Sequence, residues 1–190
     1  MPQDLSAVPW PVTTPRLSIR TAIIEDGDAV WQIRRQPSVR HWMTADDSDR
    51  ADFAERWADP DRLAVTLVVE KDGVLIGDLM LMLQDAWSQR EVRAQAAGTQ
   101  AELGWVIDPA HSGQGYATEA ARALVEISFG PLGLRRVIAQ CFADNTASWR
   151  VMEKVGMRRE DHAVRESLHR SGEWLDGFRY ALLADEWPRG

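Results

Sequence analysis

Between residues 101 and 130 three kinds of sequence follow one another without a break. They are a short apolar run (AELGWVI, 101–107), a loop with two glycines (DPAHSGQG, 108–115) and an alanine-rich stretch (YATEAARALVEISFG, 116–130). Gly113 and Gly115 thus stand where a predicted strand hands over to a predicted helix, which Gly130 ends. Glycine allows the chain to turn sharply and lets a ligand approach the amides, because no Cβ stands in the way. The first N–H groups of a helix have no partner inside it and carry the positive end of its dipole. A strand–glycine–helix junction is therefore a cradle for phosphate.

The surrounding residues narrow the choice of phosphate. A nucleotide-hydrolysing P-loop needs Lys followed by Ser or Thr after its last glycine, and here Tyr116-Ala117 follows Gly115. A dinucleotide fingerprint needs Gly or Ala where Thr118 stands. Without a lysine clamp or a Mg²⁺ ligand, the cradle suits a diphosphate that is not hydrolysed, and coenzyme A fits that description.

The rest of the chain reads as one mixed α/β domain over 1–190, with residues 1–15 as an extended proline-rich arm. RLSIRTA (16–22) alternates as a strand does. A short helix with Ala29, Val30 and Ile33 on its apolar face is expected after an Asp26 or Asp28 cap, stopped by Pro37. A second helix fits 48–58, with Phe53 and Trp57 one turn apart. LAVTLVVEK (63–71) and VLIGDLMLML (74–83) flank Asp72-Gly73, a dipeptide that accepts positive φ at both turn positions and so predicts a hairpin. Residues 84–100 read as a long loop and RRVIAQCF (135–142) as a strand. Asn145 is a natural N-cap for a helix through Val155, with Gly156 beyond its end. Strands near 160–169 and 174–183 bracket a turn at Ser171-Gly172.

Composition removes several classes of function. A formal charge of -7 argues against a broad polyanion partner, so no nucleic acid and no anionic membrane surface are expected. No apolar run approaches the ~18 residues of a membrane span. The opening MPQDLSAVPWPVTTPR lacks the basic and apolar regions of a secretory signal, so a cytoplasmic setting is expected. Cys141 is the single cysteine, which leaves no intrachain disulfide and no cysteine zinc site. His41, His111, His162 and His169 show no ligand spacing, and no metal is expected.

The segments TPRLSIR (14–20), VLIGDLML (74–81), AELGWVIDPAHSGQGYATEA (101–120), GLRRVIAQCFADNTASWRVMEKVGM (133–157) and YALLADEW (180–187) together resemble the GNAT superfamily of N-acetyltransferases, in its RimJ/RimL branch. The resemblance covers about 14–187. It implies a mixed, mostly antiparallel twisted sheet with helices on both faces, acetyl-CoA as acyl donor and an amine as acceptor. It implies that the backbone of Trp105, Val106 and Ile107 pairs with the pantetheine arm. Ser112, Gly113, Gln114, Gly115, Tyr116, Ala117 and Thr118 would hold the diphosphate, Asn145 would bond the pantetheine or position its helix, and Ser148 would lie near the thioester sulfur. Homodimers are common among such relatives.

Two positions depart from the family pattern. Ser112 replaces the usual Gln or Arg, which leaves the backbone amides to do most of the holding. Met152 stands where many members carry a tyrosine that protonates the leaving thiolate, so Ser148 or a water takes that part, as in the RimJ/RimL branch. Glu102, at the start of the strand beside the loop, is the expected base, acting through a water. The bland readings are a strand-end carboxylate for Glu102, a local backbone bonder for Ser148, and a small core residue for Cys141. Trp31 and Trp57 are expected in the core, while Trp42 and Trp87 could line an acceptor pocket with the 42–61 and 84–100 segments.

Acceptors consistent with the resemblance are a protein N-terminal amine, a polyamine or an aminoglycoside. The alternative of another class is a non-catalytic acyl-CoA-binding regulatory module. Residues 21–63 sum to -4 and 64–108 to -4, while 109–142 sum to +1. The acid thus lies in the half expected to receive the acceptor, which favours a cationic amine.

Overall fold

The computed structural model describes residues 4–188. In chain order the elements are β1 (Val12–Thr13), β2 (Ser18–Thr21), α1 (Gly27–Arg34), α2 (Pro37–Arg40), α3 (Arg50–Trp57), α4 (Pro60–Val65), β3 (Thr66–Lys71) and β4 (Val74–Gln84). There follow α5 (Arg93–Ala96), β5 (Gln100–Ile107), α6 (Tyr116–Phe129), β6 (Arg136–Phe142), α7 (Thr146–Lys154), β7 (Arg158–Leu168) and β8 (Trp174–Leu183). The strands form an 8-stranded sheet in the order β1-β2-β3-β4-β5-β6-β8-β7. Every neighbouring pair is antiparallel except β5 and β6, which run parallel. This is the mixed, mostly antiparallel sheet expected, with α6 and α7 on one face and α1 and α3 on the other.

Local chemistry accounts for many of the boundaries. Asp72 and Gly73 both adopt positive φ (51° and 77°), the geometry a two-residue hairpin between β3 and β4 requires. Asp49 caps α3 by accepting from the amides of Ala51 and Asp52 (2.8 and 2.9 Å). Asn145 caps α7 through Ser148 N–H (3.3 Å), as its sequence position predicts.

Elsewhere the structure departs from the sequence reading. Residues 63–65 extend α4 instead of β3, because Asp59 caps the helix and Pro60 occupies its first turn. The Asp26 side chain does not cap α1: its carboxylate takes both ends of the Arg20 guanidinium (2.8 Å each) and the Ile23 amide at the start of the preceding turn. Ala29 faces solvent, leaving Val30 and Ile33 as the buried side of α1. Pro37 ends α1 but also opens α2, and the 84–100 loop contains the single turn α5.

Two apolar clusters sit on opposite faces of the sheet. The larger packs Ala120, Ala121, Leu124 and Val125 of α6 with Met152 of α7 against Leu79, Leu81, Val137 and Tyr180. The smaller holds Val30, Phe53, Trp57 and Val68, with the Phe53 and Trp57 rings stacked at 5.7 Å; Trp31 packs against it. Among the described residues no helix is long and apolar enough to cross a membrane.

Beside the smaller cluster lies an ionic group. Arg34 pairs with Asp78 at 2.5 Å and approaches Asp47 at 3.5 Å, while Arg56 reaches Asp47 at 2.8 Å; both aspartates are buried. Burial alone would depress the Arg34 pKa, but the Asp78 and Asp47 carboxylates outweigh it and hold the guanidinium charged. Asp78→Ala leaves that charge without its closest partner and is expected to cost about 3–5 kcal/mol in urea unfolding. Arg50→Ala, which breaks the exposed Arg50–Asp28 pair, is expected to cost under about 1 kcal/mol. Equal losses for the two variants would show that the buried group contributes nothing special.

Candidate active site

β5 pairs with β4 along its whole length, from Gln100 to Ile107. It pairs with β6 only at Gln100, Ala101 and Glu102, opposite Arg136, Val137 and Ile138. β6 nonetheless continues to Phe142 alongside β8. Beyond Glu102 the two parallel strands therefore part, opening a wedge in the middle of the sheet.

The direction of each main chain in the wedge follows from two hydrogen bonds. Arg135 N–H donates to Thr99 O (2.9 Å), so odd-numbered residues of this stretch turn their polar backbone towards β6. Asp108 N–H donates to Ile76 O (2.8 Å), so even-numbered ones turn towards β4. Past the fork, Leu103, Trp105 and Ile107 consequently aim N–H and C=O into the wedge. Val106, expected to join them, points its backbone at Asp78 of β4 instead. Alternation along a strand gives a ligand every second residue, not three in a row.

Glu102 lies at the fork itself, opposite Ile138. Its neighbours Ala101 and Leu103 pack into the α6 cluster, so its side chain lies on the α1/α3 face, where Gln84 Nε2 donates to its carboxylate (2.9 Å). Ser148 lies on the other face, at the start of α7. Its hydroxyl and the Trp149 amide hydrogen-bond to the Cys141 thiol on β6. Burial, only partly offset by those two bonds, pushes that thiol up to about 11. Glu102 and Ser148 thus approach the gap from opposite sides of the sheet. Met152 is fully buried in the core and has no access to the gap.

The loop after β5 makes the sharp left-handed turns that its glycines predict. Asp108 caps the turn Pro109–His111 through Ala110 N–H (3.1 Å), and Gly113 and Gly115 adopt φ of 74° and 83°. The first α6 bond runs from Glu119 N–H to Gly115 O (3.0 Å), so the amides of Tyr116, Ala117 and Thr118 precede it and lack partners within the helix. Ser112, Gly113, Gln114 and Gly115 are exposed, but the Ser112 amide is already spent on Pro109 O (3.1 Å). The Tyr116 side chain is buried with its ring against His111 (6.3 Å), which leaves only its amide for a ligand.

Three further residues hold this loop in place. Thr14 Oγ1 donates to Glu119 Oε1 (2.6 Å), Arg16 Nε to Glu119 Oε2 (2.6 Å), and Arg16 Nη1 to Gln114 O (2.9 Å). The Arg16 guanidinium also covers the Tyr116 ring at 4.5 Å. Burial alone would raise the Glu119 pKa, but the bonds from Thr14 and Arg16 prevail and hold it below the usual range. No spacing in the sequence links two residues 103 positions apart.

On the α1/α3 face, residues 36–46 cross from one arm of the wedge to the other. Gln36 Nε2 donates to Asp108 just past β5 (3.2 Å), while Trp42 meets Phe142 at the end of β6 (6.2 Å between rings). The β7–β8 turn clasps this strap: Arg170 donates to Met43 O and Ala45 O, and His169 Nε2 to His41 O (2.9 Å). Ser171 N–H donates to His169 Nδ1, so the proton of this ring sits on Nε2. Trp87 is 94 % exposed and lines nothing. Much of the regional acid is also spoken for, since Asp46 meets Arg40 and Arg170, Asp47 meets Arg34 and Arg56, Asp26 meets Arg20, and Asp28 meets Arg50. These pairs fix where individual carboxylates point, and the segment 21–63 keeps its net -4.

The raised Cys141 pKa has a measurable sign. With a thiol near 11 the thiolate fraction at pH 8 is about 10⁻³, so iodoacetamide labelling of the native protein should be very slow there. It should rise about tenfold per pH unit up to pH 10, as read by intact mass. Rapid labelling at pH 7 would contradict the burial argument.

Comparison with known proteins agrees with this geometry. A family model described as an acetyltransferase (GNAT) domain matches residues 16–158. The chain is 30% identical over 179 residues to YnaD of Bacillus subtilis, an uncharacterized N-acetyltransferase, covering 93% of this chain and 98% of that one. A GNAT-family acetyltransferase from Bacillus anthracis superposes with a TM-score of 0.73 at 30% identity, over 92% of this chain and 99% of that chain. RimL, a ribosomal L7/L12 alpha-N-protein acetyltransferase in complex with coenzyme A, shares the fold at 17% identity (TM-score 0.75, 93% and 98% covered). So does a spermidine N-acetyltransferase from Vibrio cholerae in complex with CoA and spermine, at 19% identity (TM-score 0.75, 91% and 98% covered). Strand order, wedge, cradle and relatives agree, and the chain belongs to the GNAT family of N-acetyltransferases.

Proposed function

We propose that this enzyme transfers an acetyl group from acetyl-CoA directly to a primary amine held in the same wedge. The observation that carries this reading is the parting of β5 from β6, which leaves main-chain donors and acceptors of Trp105 and Ile107 facing the gap. A pantetheine arm carries amides that complete such a ladder as an extra strand would. The free amides from Gly113 to Thr118 suit the diphosphate.

In this scheme Glu102 takes a proton from the acceptor ammonium, through a water, and the neutral amine attacks the thioester carbon. A main-chain amide of Trp105 or Ile107 polarises the carbonyl oxygen. The C–N bond forms and the C–S bond breaks, and the proton shed by the acylated nitrogen passes through water to the leaving thiolate, whose sulfur Ser148 orients. Holding both substrates in one gap supplies much of the acceleration. Gln84 Nε2 donates to the Glu102 carboxylate and fixes its direction at the fork.

The acceptor is a primary amine, either a protein N-terminal amine, as the name of RimL describes, or a polyamine, as for the Vibrio cholerae enzyme. The test is coenzyme A thiol release with Ser- and Ala-starting peptides, spermidine and an aminoglycoside. Release with one of these classes supports transfer. Coenzyme A binding without release on any amine would instead make the protein a non-catalytic acyl-CoA-binding module. Glu102→Gln should lower kcat/KM by about 10²–10⁴ and flatten the acid limb of its pH profile. An unchanged profile would remove Glu102 as the base. Ser148→Ala should cost about tenfold in kcat, since it orients the sulfur without being its sole proton source.

A further inference from the structure

The coenzyme cradle contains an electrostatic conflict. Glu119 sits in the first turn of α6, the same turn whose free amides face a bound diphosphate. A carboxylate there suits the helix dipole but repels a second anion. The loop itself, Ser112–Thr118, carries no basic side chain. The cation comes from the other end of the chain. Arg16 approaches Glu119 through Nε and Nη2 (2.6 Å each) and Gln114 O through Nη1 (2.9 Å).

A guanidinium has five N–H donors. These contacts occupy three, leaving one N–H on Nη1 and one on Nη2. Nη2 lies 3.5 Å from the point where a Cβ on Gly115 would stand, so the unused donors border the cradle. The Arg16 side chain is 44% exposed, open to a ligand from the solvent side, and rests on the Tyr116 ring, which fixes its plane.

We propose that Arg16 is a coenzyme-binding residue that cancels the charge of Glu119 and offers its two unused N–H groups to the diphosphate. This rests on the acetyl-CoA reading above. It differs from a strut role for the same pair, because a broken strut would weaken coenzyme binding in both Arg16→Gln and Glu119→Gln, whereas a phosphate contact is weakened in the first and strengthened in the second.

The full-length protein tests this with two donors, acetyl-CoA and S-acetylpantetheine, the second lacking the diphosphate. In Arg16→Gln the calorimetric Kd for coenzyme A should rise about 10- to 100-fold and lose part of its salt dependence. The fall in kcat/KM should be at least about tenfold larger for acetyl-CoA than for S-acetylpantetheine. Glu119→Gln alone should bind coenzyme A more tightly, because the competing carboxylate is gone, and this holds as a test even if Arg16→Gln proves unstable. An unchanged Kd in Arg16→Gln, equal losses with both donors, or weaker or unchanged binding in Glu119→Gln would each overturn the proposal. A parent protein that binds no coenzyme A yet unfolds cooperatively would instead overturn the acetyl-CoA reading itself.

Discussion

Three residue pairs hold β5 to β6, and after Glu102 the strands separate. Much of the chemistry proposed for this chain depends on that separation. A fully zipped parallel pair would spend the Trp105 and Ile107 backbone within the sheet and leave nothing for a ligand to pair with. The parting costs backbone hydrogen bonds in the middle of the sheet, which is tolerable only if water or a substrate supplies them. The core on either side stays closed because α6 and α7 cover one face of the wedge arms while α1 and α3 cover the other side of the sheet.

The same opening separates the two side chains proposed to take part in transfer, one on each face. Glu102 marks the fork from the α1/α3 side, beside the strap formed by residues 36–46. Ser148 approaches from the α7 side, next to a thiol that burial keeps protonated. An amine and a thioester entering from opposite faces meet without exchanging places, which suits direct transfer better than a covalent route through Cys141. The arginine–aspartate group under α1 and α3 has a different part: it ties these helices to β4 through Asp78, directly opposite Val106.

Much of the local geometry was legible in the sequence. The Asp72-Gly73 hairpin, the Gly113 and Gly115 turn, the Asn145 cap and the end of α7 before Gly156 all depend on residues within a few positions of one another. Such signals fail where two of them compete, as at 63–65, where an Asp-Pro helix start overrode an apolar run that reads as strand. They also mislead where burial is inferred from residue type alone, as for the solvent-facing Trp87. The charge sums give a net acidic half, and only the structure shows which of its aspartates pair with arginine.

By itself, then, the sequence determined most of the strands, the glycine loop and the family resemblance, because turn dihedrals, caps and glycine loops are short-range properties of neighbouring residues. Only the tertiary structure decided which backbone groups of β5 face the gap, since that depends on where β6 stops pairing with it. It also decided that Arg16 meets Glu119, a contact across 103 positions that exists because the packed sheet lays the start of β2 beside the first turn of α6. Long-range pairings of this kind are set by how the whole core closes, and no local pattern of residues encodes them.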